Sequence, residues 1–144
     1  VRQNKNLLIG QRTAEKLKWD IGSASVEAAK EMGTTEVRGR DLVTGLPQTK
    51  EVSAVDVSNA LQDVVEAIIE AIKGTLEETS PEIAADVIDH GIVLTGGGAL
   101  LKHLPEVIAD ATKVPVFIAN DPLDCVAIGT GESLKSIDVM KKSK

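Results

Sequence analysis

Residues 53–79 constrain this chain more than any other stretch, because they read as a single long amphipathic helix. Ser53-Ala54-Val55-Asp56 places a serine at the N-cap and an acid at the third helical position, a variant of the capping box. Val57, Leu61, Val64, Val65, Ile68, Ile69, Ile72 and Leu76 then recur at helical spacing. One broad face of this helix must be buried, so the flanking sequence has to supply a partner for it. The opposite face is acidic: Lys73 stands alone against Asp56, Asp63, Glu66, Glu70, Glu77 and Glu78. An anionic lipid surface would repel such a helix, so it does not read as a membrane anchor.

The sequence after this helix has an α/β pattern. Ser80-Pro81 opens a second helix, with proline where its missing N–H costs nothing. Ile92 to Thr95 form a short β-branched strand that runs into Gly96-Gly97-Gly98, and residues 99–101 begin a helical turn. Residues 104–112 read as a helix with Val107, Ile108 and Ala111 inward, and residues 114–119 as a second core strand. Asp121 is the expected N-cap of a last helix reaching about Ile137, with Pro122 at its first position; the tail 141–144 is expected to fray. Two strands do not close a sheet, so the pattern implies further strands elsewhere. The opening Val1 and the helix-tail character of residues 1–6 fit the same expectation of a fragment.

Before the long helix, residues 12–21 read as a short helix with Ala14, Leu17 and Ile21 on one face and Gly22 as its stop. Residues 23–35 are small and polar and read as a surface loop with a helical turn near residues 26–32. Residues 36–42 and 48–53 suit an exposed antiparallel hairpin around a Gly-Pro turn.

Composition excludes several function classes. The 144 residues carry a net charge of −6 and only two aromatics, Trp19 and Phe117, which argues against nucleic-acid binding. No apolar run approaches the ~20 residues of a membrane span. The lone Cys125 excludes an internal disulfide and fits a reducing compartment. His90 and His103 have no second ligand at metal spacing, so no metal site is expected. No catalytic residue set can be assembled.

Two places carry candidate chemistry. Three consecutive glycines after a buried strand let backbone approach a ligand closely, and Gly96, Gly97 and Gly98 could present N–H groups to phosphate or sugar oxygens. The stretch is neither a Walker A loop nor GxGxxG, and a tight strand-to-helix turn explains one such glycine equally well. Glu15 and Lys18 stand three apart on the first helix, either as a solvated surface pair or as a carboxylate and ammonium that grip ribose and base.

Four segments bring a family into view: NLLIGQRTAEKLKWDIGSA (6–24), EVRGRDLVTGLP (36–47), ADVIDHGIVLTGGGALLKHL (85–104) and DPLDCVAIGTGESL (121–134). In this order they closely resemble the C-terminal part of MreB and its paralogues such as Mbl, the bacterial actin-like cell-shape proteins. The resemblance implies an actin-like, ribonuclease-H-like ATPase fold. Residues 1–53 would be subdomain IIB-like, 54–79 the linking helix, 80–121 the second part of subdomain IIA, and 122–144 a helix toward domain I with its tail. It implies that Gly96, Gly97, Gly98 and Ala99 form the adenosine loop, and that Glu15, Lys16 and Lys18 meet adenine and ribose. ATP or ADP with Mg²⁺ is the implied cofactor. The family's phosphate loops and catalytic acids have no counterpart in this sequence, so the fragment is expected to be inactive alone. Implied partners are further copies in protofilaments, a RodZ-like adaptor, the cell-wall synthesis machinery, and the membrane through an N-terminal half. The implied location is the cytoplasmic face of the membrane. Other readings are a chaperone or sugar-kinase relative with the same ATPase fold, distinguished by the 36–47 hairpin, and a structural fragment with no binding of its own.

Overall fold

The computed structural model describes residues 1–135. Helix α1 (Arg2–Lys5) ends at Asn6, whose left-handed backbone turns the chain into a two-residue strand, β1 (Leu7–Leu8). Helix α2 (Gln11–Ile21) and the short α3 (Val26–Ala29) follow. Strands β2 (Thr34–Asp41) and β3 (Pro47–Ser53) form the hairpin. Both pairings in the sheet β1-β2-β3 are antiparallel.

The first core lies between this sheet and α2. Leu7, Leu17, Ile21, Ala29, Val37, Val52 and Ala54 pack together there. Val37 and Val52 lie on the same inner face, as the two-residue side-chain period of a strand requires. The hairpin is therefore exposed on one face and core on the other, which weak polar–apolar alternation did not reveal. Strand β1 was not anticipated at all. It fits beside β2 only because position 39 is glycine: a Cβ there would sit 2.4 Å from the Leu8 carbonyl oxygen.

A polar knot fixes the open end of this sheet. Lys50 Nζ donates to Asp41 Oδ2 and to the Lys5 carbonyl, both at 2.7 Å. Asp41 Oδ1 accepts the Val43 and Thr44 N–H groups at 2.9 Å, shaping the turn that follows. The Lys50 ammonium first, then these two N–H groups, hold the Asp41 carboxyl well below the ordinary carboxylate range.

Helix α4 (Ala54–Glu77) starts as its sequence requires, with both bonds of the Ser53–Asp56 capping box present. At 24 residues it is about 36 Å long and passes from the first core to a second. That second core joins Val65 of α4 to Ala24, Leu104 and Ile108. The expected surface loop thus turns inward: Ser23, Ala24 and Ala29 are buried, and Ser25 caps α3 by accepting the Ala28 N–H. Small side chains here permit close packing beside α4, and their low hydrophobicity reads as surface.

Beyond α4 come α5 (Pro81–His90), β4 (Ile92–Leu94), a 3₁₀ turn (Gly97–Leu100), α6 (Leu104–Thr112), β5 (Val116–Ile118) and α7 (Cys125–Leu134). Strands β4 and β5 pair in parallel. The expected core strand at β5 holds in part: Val114 is buried and Val116 packs against the second core, while Phe117, 54% exposed, and Ile118 beside it are not covered. Two paired strands give such side chains nothing to pack under. Helix α7 begins at Cys125 with Asp124 as N-cap, not at Asp121. Asp121 has a left-handed backbone (φ 47°), and its carbonyl accepts the Asp124 N–H in a tight turn that precedes the helix. The expected run to Ile137 and the tail 141–144 lie outside the described residues.

Candidate functional site

Helices α2 and α4 lie side by side and leave a groove, and two hollows in it share Lys18 and Leu61. The larger, of about 650 Å³, reaches from Val1 and Lys5 past Glu15 and Lys18 to Asp56 and Ala60. The smaller, of about 140 Å³, is walled by Lys18 and Trp19 of α2, by Leu61, Val64, Val65 and Ile68 of α4, and by Gly97 and Gly98.

Helical spacing explains how α2 serves both hollows. Glu15 and Lys18 are three residues apart and project from one side. Both face the larger hollow, and Lys18, one turn nearer the glycines, also reaches the smaller one. Lys16 is exposed and lines neither. The Lys18 ammonium lies 5.5 Å from the centre of the Trp19 ring, within the range of a cation–π contact. Across the larger hollow, Lys5 pairs with Asp56 at 3.2 Å. Burial opposes the charge on Asp56, but its contacts with Ser53 and Lys5 outweigh that, and its carboxyl falls below its ordinary value.

The three glycines do different work. Gly96 takes φ 80°, a conformation closed to most side chains, and its N–H donates to the Pro122 carbonyl at 2.7 Å. That donor is spent inside the protein, so Gly96 shapes the turn and does not offer an N–H to a ligand. Gly97 and Gly98 open the 3₁₀ turn, where first-turn N–H groups have no intrahelical acceptor. Space beside Gly98 is open, and a Cβ on Gly97 would meet only the far end of Leu123 at 3.3 Å. Ala99 is buried and holds the turn by donating its N–H to the Gly96 carbonyl.

The turn is tied directly to the end of α2. Ala24 N–H donates to the Lys102 carbonyl at 2.8 Å, and Lys102 Nζ donates to the Asp20 carbonyl at 2.6 Å. Ser23 Oγ and His103 Nδ1 lie 3.0 Å apart in the same junction. These bonds close a distance of some eighty residues in sequence. The structure brings Lys18 together with Gly97 and Gly98, sets Glu15 in the adjoining hollow, and leaves Lys16, Gly96 and Ala99 off the walls. Sequence reasoning missed Trp19 and the α4 side chains. The adjacency of a rare aromatic to Lys18 was the one available signal for Trp19.

The architecture matches that of MreB5 of Spiroplasma citri crystallised with ADP, with a TM-score of 0.89 and 34% identity over 99% of this chain and 43% of that one. It matches the same protein crystallised with AMPPNP at 0.87 and 35%, over 98% and 42%. The fold is that of part of an actin-like protein. The MreB/Mbl protein family model matches residues 1–142, and the chain belongs to that family. It is 45% identical to the cell shape-determining protein Mbl of Bacillus subtilis over 100% of this chain and 43% of that protein. It is 43% identical to the cell shape-determining protein MreB of Escherichia coli over 96% and 40%. The chain thus spans about two fifths of the length of the curated relatives it matches.

Proposed function

We propose that this chain is the C-terminal part of an actin-like, ATP-binding filament protein that directs rod shape and cell-wall synthesis, and that it forms the adenosine side of the nucleotide cleft. The observation that carries the reading is the meeting of Lys18 with Gly97 and Gly98 around one hollow. The ammonium supplies a donor for ribose or base, the glycines give close backbone approach, and α4 supplies an apolar wall. The ADP and AMPPNP bound to the structural neighbours support the same assignment. Glu15, facing the same side of α2, would receive ribose hydroxyls. Mg²⁺ would shield the triphosphate, but it and the phosphates need acidic and amide groups outside these residues, so this chain alone should hold nucleotide at millimolar strength or not at all.

Filament growth would be head-to-tail, which leaves ends open. The hairpin is the proposed contact: Val43 is 80% exposed and Leu46 65%, on a turn held in shape by Asp41. An adaptor of the RodZ kind would meet the acidic surface around residues 77–89. The protein would work at the cytoplasmic face of the membrane.

Gly97→Val tests the nucleotide reading, because a Cβ at this position meets nothing but the flexible end of Leu123. In the longer protein, calorimetry should show ADP affinity reduced at least tenfold with the thermal midpoint unchanged. Unaltered affinity would remove the glycine turn from the site.

A further inference from the structure

Trp19 is the single tryptophan of the chain, and nothing in the proposed adenosine contacts gives it a part. It sits on α2 beside Lys18 and lines the smaller hollow, yet its side chain remains 39% exposed. Large aromatic rings are commonly much more covered than this. The facing wall is also uncovered: Val64 is 58% exposed and Ile68 is exposed as well. Gly97 and Gly98 close the third side without side chains. The result is a slot with one aromatic wall, aliphatic walls from α4 and from Leu101 and Leu104, a strip of bare glycine backbone and a single ammonium. Its volume of about 140 Å³ has room for a flat ring and none for a sugar with phosphates.

We infer that Trp19 is the surface on which the base of the nucleotide stacks, and hence a specificity-determining residue of the cleft. This rests on the nucleotide reading above and adds to it the identity of the group that holds the base. A heteroaromatic base suits such a slot because its face is apolar and polarisable while its edge carries acceptors for Lys18. Stacking tolerates different bases but favours larger ring systems, so purines should bind ahead of pyrimidines. Lys18, already within cation–π range of the ring, can turn toward the base edge while its stem stays against the aromatic surface.

The full 144-residue chain, labelled with ¹⁵N, gives a direct test, since its one indole N–H yields one cross-peak. Titration to about 10 mM reaches the weak affinities expected. ADP should move the indole peak together with the Gly97 and Gly98 amides along one binding curve. UDP should move the indole less, and ribose 5-phosphate should leave it in place. Trp19→Ala should weaken ADP about tenfold, and Trp19→Phe, which keeps a ring, should recover most of the loss. The dispersed amide spectrum of each variant reports that it is folded. If ADP shifts the glycine amides but not the indole, or if Trp19→Ala binds as the parent does, the stacking role is wrong and the glycine site stands. If neither signal responds to ADP in this chain or in the longer protein that carries it, the site reading falls and this inference with it. An indole peak that moves on diluting the chain, and not on adding nucleotide, assigns the slot to a second copy and overturns the proposal.

Discussion

The two cores of this chain are built differently. The hairpin side is closed: its three-stranded sheet has Leu7, Val37 and Val52 sealed against α2, and a charged knot at Asp41 ties α1, β2 and β3 together. The glycine-turn side is open. Its two-stranded sheet leaves Val93, Phe117 and Ile118 exposed, and Val126, Ile128 and Leu134 of α7 are uncovered too. Isolated apolar residues on a surface are ordinary, but a sheet face and a helix face bare together mark surface shaped to be covered. The contrast teaches that the glycine turn, the proposed nucleotide contact, is carried by the less self-sufficient region, and that α4 couples it to the more self-sufficient one.

The largest expected effect breaks the closed side. Gly39→Val puts a branched side chain where even a Cβ would lie 2.4 Å from backbone oxygen, so β1 cannot stay in the sheet. Loss of more than about 3 kcal/mol is expected, read as collapse of the strand signals of residues 34–53 in an NMR spectrum. Retention of a native-like hairpin would mean β1 is dispensable and the two sides are less different than they look.

Ile108→Ala strikes the open side at a fully buried residue of its core. A cost of about 2–5 kcal/mol is expected. Hydrogen exchange should show the loss confined to residues 92–118, with β2 and β3 protected as before. Equal deprotection of the hairpin would show that α4 makes one cooperative unit of both cores.

Asp41→Asn keeps the shape of the turn but removes the charge that meets Lys50. The folded carboxyl lies below its ordinary value of 3.8, so it binds fewer protons folded than unfolded near that pH. Its stabilisation is complete above that value and is lost as pH falls through the lower folded value. Thermal melts should therefore show the variant below the parent at pH 7, with the gap narrowing progressively as pH falls below 3.8. A gap that persists in acid would assign the effect to packing.

Phe117→Ser should be the mildest, within about 0.5 kcal/mol in this chain, because the ring is already half in water. A larger loss by chemical denaturation would show that β5 is better covered than the contrast requires.

Much of the local structure was legible. The capping box at Ser53, the proline start at Pro81 and the β-branched run before Gly96 were read from side-chain chemistry within a few residues, and each stands where it was expected. Strand β1 was not legible, since two leucines carry no period and their place depends on a glycine more than thirty residues away. Asp121 misled because Asp-Pro favours a turn as readily as a helix start. For the candidate site, Lys18, Gly97 and Gly98 were visible as motifs, whereas Trp19 and the α4 wall were not, since neither carries a motif of its own.

Sequence by itself determined α2, α4, α5 and α6, the glycine turn and the family, because caps, apolar periods and linear motifs act through neighbours along the chain. Only the tertiary structure decided that Lys18 meets Gly97 and Gly98, that Gly96 gives its N–H to Pro122, and which apolar faces stay bare. Those outcomes depend on how α2, α4 and the residue 101–104 segment pack across some eighty positions, and such packing leaves no periodic trace in any one segment.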